Sequence, residues 1–172
     1  MKKIILAVLV FISVSTISYA QKHAYVDTDY ILNNIPEYND AQDILNELSA
    51  RWQKEIETKY TEIDKLYRSY QAESALLPAD LKQKKEEEIV SKEKAIKKFQ
   101  QDKFGPEGEL YTKRMELVQP IQEKIFNVIN EIAETRNYDF IFDKAGSVNI
   151  LYSNPRLDLS DEVLDQLGMI IQ

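Results

Sequence analysis

The sequence predicts a mostly helical α+β chain, in which a long antiparallel helical hairpin stands on a small β-rich body that assembles as an oligomer. Three observations predict it. From Asn39 to Leu77 there is neither Gly nor Pro, and apolar residues recur at intervals of three and four. After Pro78 a second helical pattern returns. Short β-like runs stand near the two ends of the remaining chain, around Tyr25 and around Phe140.

In chain order, the first twenty residues stand apart. Lys2 and Lys3, the apolar stretch from Ile4 to Val14 and the small-residue pattern Ser18-Tyr19-Ala20 are the three parts of a secretory signal. The stretch falls short of the roughly 20 residues that a spanning helix needs. No cysteine follows it to carry a lipid. The expectation is therefore cleavage after Ala20, leaving residues 21–172 as one exported domain. Its body segments are 21–38 and 137–172, and its helical arm is 39–136.

Composition excludes most chemistry. The 172 residues contain no Cys and a single His, so no thiolate or imidazole cluster is available to hold a metal. His23 reads as a solvated residue beside the new N-terminus. Asp27 with Asp29, and Asp139 with Asp143, lie in no calcium-loop pattern. With no glycine loop or nucleophile motif either, the expectation is a protein without metal, cofactor or enzymatic activity. The net charge is −7, and loss of Lys2 and Lys3 takes it to −9, which disfavours nucleic acid as a partner.

The body opens with the β-like Ala24-Tyr25-Val26-Asp27, then Tyr30-Ile31-Leu32 and the boundary Asn33-Asn34-Ile35-Pro36, where Pro36 suits the first turn of a helix. The outgoing stripe is Ala41, Leu45, Leu48, Trp52, Ile56, Tyr60, Ile63, Tyr67 and Tyr70. At about 1.5 Å per residue the segment is a rod of roughly 58 Å, too long to be buried in a globule of this size. It turns at 76–80, where Pro78 disfavours helix for Leu77 and Asp80 is placed to cap the returning helix.

The return limb, Leu81 to Phe104, has a sparse stripe of Leu81, Ile89, Ile96 and Phe99, so its packing near the tip is expected to be weak. Lys82, Lys84 and Lys85 neighbour Glu86, Glu87 and Glu88, which reads as pairing across a solvated face. Residues 79–104 carry 8 Lys against 6 acids, whereas residues 37–75 carry 5 basic against 9 acidic, so positive character is confined to one limb. After Gly105-Pro106-Glu107-Gly108 comes a denser seam, Leu110, Leu117, Ile121, Ile125, Val128 and Ile132, with Pro120 expected to kink or restart the helix.

A tip at Pro78 and Ala79 makes antiparallel partners sum to about 158, which sets Gly105 level with residue 53, next to Trp52. The outgoing stripe changes phase at the same level, through three successive spacings of four from Leu48 to Tyr60. Two irregularities coincide there, which points to a hinge about Trp52, Gly105, Pro106 and Gly108, or equally to a fixed kink.

The tail returns to β character. Tyr138 to Asp143 and Val148 to Tyr152 read as two strands about the turn Lys144-Ala145-Gly146-Ser147, ended by Asn154-Pro155. A last helix is expected from Ser160, as its cap, through Asp161, Glu162, Val163, Leu164 and Leu167 to Gly168. So small a sheet is marginal alone and exposes edges, which predicts oligomerisation around Tyr25, Val26, Phe140, Phe142 and Ile150.

The signal segment, Ala24-Tyr25-Val26-Asp27 with Tyr30-Ile31-Leu32, the long hairpin, Tyr138-Asp139-Phe140-Ile141 and Asp161-Glu162-Val163-Leu164 together resemble the Skp/OmpH family of periplasmic chaperones. The resemblance spans nearly all of residues 21–172 and lies in the order of parts rather than in one motif. It implies a jellyfish-like homotrimer, soluble in the periplasm, whose arms enclose unfolded outer-membrane β-barrel proteins without ATP and keep them from aggregating. Leu76 and Leu77 at the tip are the leading client contacts. Tyr67, Tyr70 and Phe99 are further candidates, although their spacing suits seam residues better. Enterobacterial members of the family are basic, and the acidic balance here speaks against membrane or lipopolysaccharide contact. The competing reading, a structural or adaptor coiled coil of the envelope with one defined partner, needs a continuous seam, and the charged run from Lys82 to Lys98 does not supply it.

Overall fold

The computed structural model describes residues 21–146 and 150–169, so residues 1–20, where the secretory signal is expected, lie outside the described residues. The chain enters as strand β1, His23–Val26, whose Ala24, Tyr25 and Val26 are all buried. Asp27 ends it by accepting the Tyr30 backbone N–H at 3.0 Å, which caps the short helix α1, Thr28–Asn33. Pro36 then opens helix α2, Pro36–Glu73, in the first turn, where its missing N–H costs nothing.

Helix α2 runs 38 residues without interruption. The turn expected at 76–80 comes next, and helix α3, Ala79–Phe104, returns alongside. Here the sequence reading needs one correction. Pro78 occupies the capping position without a side-chain bond, and Asp80 lies inside the first turn, where its charge meets the helix dipole. Helix α4, Glu109–Arg136, begins after the Gly105–Gly108 break and does not restart at Pro120, whose side chain is exposed. Asn137 closes α4 in the left-handed conformation, φ 54°, a geometry that Asn tolerates better than most residues.

The antiparallel register agrees with the expected sum. Glu73 meets Lys85, Tyr70 meets Glu86, Tyr60 meets Gln100 and Trp52 meets Phe104, so no pair departs from it by more than two. Distally α2 packs on α3 through Ile56, Ile63, Ile89 and Ile96, and nearer the body it packs on α4 through Ala41, Leu45 and Val118. Val118 was absent from the predicted seam. It neighbours the half-buried Leu117, and both pack in this cluster.

The tail differs from the sequence reading in its pairing. Strand β2, Phe140–Asp143, does not fold back as a hairpin but lies parallel to β1, with His23 opposite Phe140 and Val26 opposite Asp143. The turn expected after it is present at Ala145 and Gly146, but no second strand follows it among the described residues. Lys144 N–H continues the ladder to the Val26 carbonyl at 2.8 Å, while Asp143 accepts from the Ala145 N–H at 3.0 Å. Ile150, Leu151 and Tyr152 are in no strand, and residues 147–149 lie outside the described ones. On its other side β1 bridges residues 158 and 159, with Leu159 N–H donating to the Tyr25 carbonyl at 2.9 Å. A parallel pair needs a long crossover, and the whole helical arm is that crossover.

The last helix, α5, is Ser160–Gln166, reached through a 3₁₀ turn at Pro155–Leu157. Ser160 is its first residue, not its cap. Leu159 holds the capping position without a side-chain bond, and the residue before it, Asp158, accepts the Ser160 N–H on Oδ1 at 2.9 Å, while Ser160 Oγ accepts the Asp27 N–H at 2.8 Å. The body core closes around α4, from Ile121 to Ile132, with Ala24, Val26, Ile31, Leu32, Ile35, Leu159, Val163 and Leu164. Tyr30 ties α1 to α5 by donating its hydroxyl to Asp161 Oδ1 at 3.0 Å, and that bond, with the carboxylates of Asp161 and Asp158 nearby, raises the phenol above its usual value of 10.0.

This packing makes two outcomes measurable. Ile132→Ala empties a site 1% exposed and is expected to cost about 2–5 kcal/mol in urea unfolding, whereas Leu81→Ala, at 42% exposed, is expected to change stability by less than about 0.5 kcal/mol. The raised Tyr30 value means that its bond stabilises fully below about pH 10 and is lost as pH rises through the folded value. The advantage of the wild type over Tyr30→Phe in urea midpoint should therefore be present at about pH 8 and shrink above about pH 10. A gap that grows with pH contradicts the assignment.

Candidate functional site

Among the described residues, no helix is long and apolar enough to cross a membrane. What the arm offers is surface, and the register decides which side chains reach it. In α2 the buried and half-buried positions Trp52, Ile56, Lys59, Ile63, Leu66 and Tyr70 repeat at 4, 3, 4, 3 and 4, a coiled-coil seam. Tyr60 and Tyr67 each sit one residue to the side of that seam. They are 44% and 48% exposed, and Leu66 takes the inward position that the stripe assigned to Tyr67. The signal was in the spacing: Ile56, Ile63 and Tyr70 are seven apart, and neither Tyr60 nor Tyr67 belongs to that repeat.

The five candidate contact residues thus divide. Leu76 is 87% exposed at the turn, and Tyr67 lies on the flank of the arm. Leu77 is half-buried. Tyr70 and Phe99 pack on the distal cluster as seam residues. Phe99 lies between two cations, with Lys59 Nζ at 5.5 Å and Lys103 Nζ at 5.6 Å from the ring centre.

Sequence reasoning missed a shallow groove on the same limb. Gln53, Ile56, Glu57, Tyr60, Gln100 and Phe104 line it, with apolar walls and a polar rim. Leu81 and Val90 of α3 add further exposed apolar surface toward the tip, at 42% and 45%.

The tip is fastened by polar groups where apolar packing ends. Lys85 Nζ reaches Glu73 Oε2 at 2.5 Å, and Ser69 Oγ donates to Glu73 Oε1 at 2.8 Å. The Lys85 bond first, and Ser69 second, hold the Glu73 carboxyl below its usual value. One turn away the Tyr70 hydroxyl donates to Glu86 Oε1, which raises the phenol above its ordinary range.

At the base of this distal section, Trp52 is 4% exposed, with the Phe104 ring edge-on at 5.9 Å and Lys103 Nζ over its face at 4.8 Å. Gly105 and Gly108 are both required by close backbone approach. An added Cβ would lie 2.4 Å from the Gln101 carbonyl oxygen at Gly105, and 2.9 Å from Gly105 N and the Lys103 carbonyl at Gly108.

In the body, the residues expected at an oligomer contact also divide. Tyr25 and Val26 are buried within their own chain, at 7% and 2%. Phe140 and Phe142 point outward from β2 and stack with ring centres 6.1 Å apart, and Ile150 joins Phe142, Tyr152 and Leu157 along an apolar groove beside His23. Three of the four carboxylates considered for metal accept backbone N–H groups: Asp27 caps α1, Asp139 Oδ2 accepts the Lys22 N–H at 2.7 Å, and Asp143 Oδ1 accepts the Thr28 N–H at 3.2 Å.

The arrangement has relatives. A 154-residue stretch is 27% identical to an uncharacterized protein of Aquifex aeolicus (strain VF5), covering 90% of each chain. The fold superposes on the crystal structure of a candidate outer membrane chaperone (OmpH-like) from Caulobacter crescentus CB15 with a TM-score of 0.66, over 86% of this chain and 84% of that one, at 12% identity. At that identity the likeness is one of fold. Residues 22–167, which run from β1 through α5, match the family described as Outer membrane protein (OmpH-like), and the chain belongs to that OmpH-like family.

Proposed function

We propose that the protein is a periplasmic holdase that binds unfolded outer-membrane β-barrel proteins between the arms of an oligomer, a homotrimer by family resemblance, and keeps them soluble without nucleotide. The observation that carries this reading is the set of apolar side chains left in solvent on a projecting arm. Leu76, Tyr67, Tyr60, Phe104, Leu81 and Val90 are all exposed on its distal part. They are scattered among charges and form no single pocket, so they suit many weak contacts better than one tight one.

The chemistry of the client matches. An unfolded barrel strand alternates apolar and polar residues over about ten positions, without a fixed structure to recognise. A binder that holds the unfolded state by mass action needs affinity for apolar side chains and no shape code. The acidic α2 and the locally basic α3 line the two limbs of one arm, which keeps the arm solvated while the apolar groups remain available. An enzyme would need converging polar groups in an enclosed cavity, and the grooves on this arm are shallow and open.

The reading is tested by diluting a urea-unfolded outer-membrane barrel into residues 21–172 and measuring the mass of each species by light scattering after size exclusion. The expected result is an oligomer that carries the barrel in a soluble complex where the barrel alone precipitates. Leu76→Glu combined with Tyr67→Glu should reduce the soluble barrel several-fold while thermal unfolding stays within about 2–4 °C, since neither side chain is in a core. A monomer, or an oligomer that leaves the barrel to precipitate, overturns the proposal in favour of a single folded partner.

A further inference from the structure

The break at Gly105–Gly108 interrupts only one limb of the arm. Opposite it α2 runs unbroken to Glu73, with no Gly or Pro after Pro36, so the arm cannot swing on a pair of loops. It can bend only as a beam, and a beam of two limbs bends only if one limb changes length relative to the other. For helices packed about 9 Å apart, a bend of about 20–30° demands a path difference of roughly 3–5 Å. Two continuous helices have no means of supplying it.

The break supplies it. Gly108 N–H donates to the Gly105 carbonyl at 2.9 Å, closing a β-turn with Pro106 and Glu107 at its corners. The ends of such a turn lie within about 7 Å, whereas three extended steps span about 10 Å. Opening this one turn therefore releases about the length that the bend requires. The opposing helix tolerates its share, because long helices curve gently with radii of about 60–100 Å and α2 is roughly 57 Å long.

The direction is also fixed. The turn is already closed, with the Gly108 N–H on the Gly105 carbonyl at 2.9 Å, so further shortening would press these hydrogen-bonded backbone groups into each other, whereas lengthening only opens the bond. The α3–α4 limb can lengthen but not shorten. From the geometry we infer that the turn is a one-way expansion joint, that it lets the arm bend with α2 on the inside of the curve, and that Lys103 is its latch.

Lys103 suits that role because its side chain, only 20% exposed, bridges the joint. It forms an ion pair with Glu109 on the far side of the turn while its Nζ stands over Trp52 of the opposing helix and near Phe99. A cation so placed stabilises the closed joint through one charge pair and two ring faces, and opening the turn draws Glu109 away from it.

The chain contains no cysteine, so spin labels can be placed singly. Labels at Lys97→Cys and Arg114→Cys, exposed positions on either side of the turn, read the joint directly by pulsed dipolar spectroscopy when labelled chains are diluted with unlabelled ones. The expected result is a main distance with a minor population longer by about 3–5 Å. Lys103→Ala, and independently Glu109→Gln, should at least double that population while helical circular dichroism is unchanged. A control pair within continuous α2, Asn46→Cys with Gln53→Cys, should not move. Emission from Trp52, the single tryptophan, should become more open to acrylamide in Lys103→Ala. One narrow distance that neither variant alters, or a shift of the control pair by the same amount, overturns the joint. The inference does not depend on what the arm binds.

Discussion

A helix of 38 residues is longer than this chain can cover, and that mismatch governs the rest of the structure. At any level of the arm one other limb lies against α2, so burial is limited to the single stripe that faces it. The apolar groups off that stripe have no intramolecular partner. Where α3 is the partner the cluster is four isoleucines with flanking rings, and where α4 is the partner it is smaller still. The larger core is in the body, where β1, α1, α4 and α5 meet from several directions. Stability is therefore concentrated at one end of the molecule, and exposed apolar surface at the other.

Polar contacts make up part of the difference, but at exposed sites each contributes little. Pairs such as Lys98 with Asp102 or Arg68 with Asp64 sit in solvent and contribute at most about 1 kcal/mol each, often less. Being i, i+4 pairs, each supports its own helix and keeps that limb solvated. The Glu73–Lys85 and Tyr70–Glu86 contacts act where the distal cluster has run out, and they close the end of the hairpin without burying anything. Such a tip leaves Leu76 uncovered, because a turn of this length brings no second layer over it.

The sheet imposes the complementary constraint. Since β1 and β2 run parallel, the two ends of the chain must meet after the whole arm has been laid down between them. The contacts that close the body, Asp27 with Ser160 and Tyr30 with Asp161, span more than a hundred residues. Helices with local bonds can form early, while the body that anchors them depends on closing a long loop. Among the described residues β1 is flanked on both sides by its own chain, while Phe140 and Phe142 of β2 remain exposed.

Periodicity and punctuation alone determined the helical hairpin, its turn at Pro78, its break at Gly105 and its antiparallel register, because these rest on local backbone preference and on counting from a single turn. Only the tertiary structure decided what depends on distant groups. It placed Tyr60 and Tyr67 outside the seam, since the facing limb selects one of two adjacent stripes. It replaced the expected hairpin of Tyr138–Tyr152 with a parallel pair, because β1 offers buried Tyr25 and Val26 and open backbone, whereas the local turn offers only itself. It moved the capping position of the last helix from Ser160 to Leu159, with Asp158 accepting the Ser160 N–H, because Ser160 is drawn inward to the backbone of Asp27. Local sequence thus sets which segments are helical and where they stop, and long-range burial decides which faces and strand edges are satisfied, since that competition is settled between residues the chain keeps far apart.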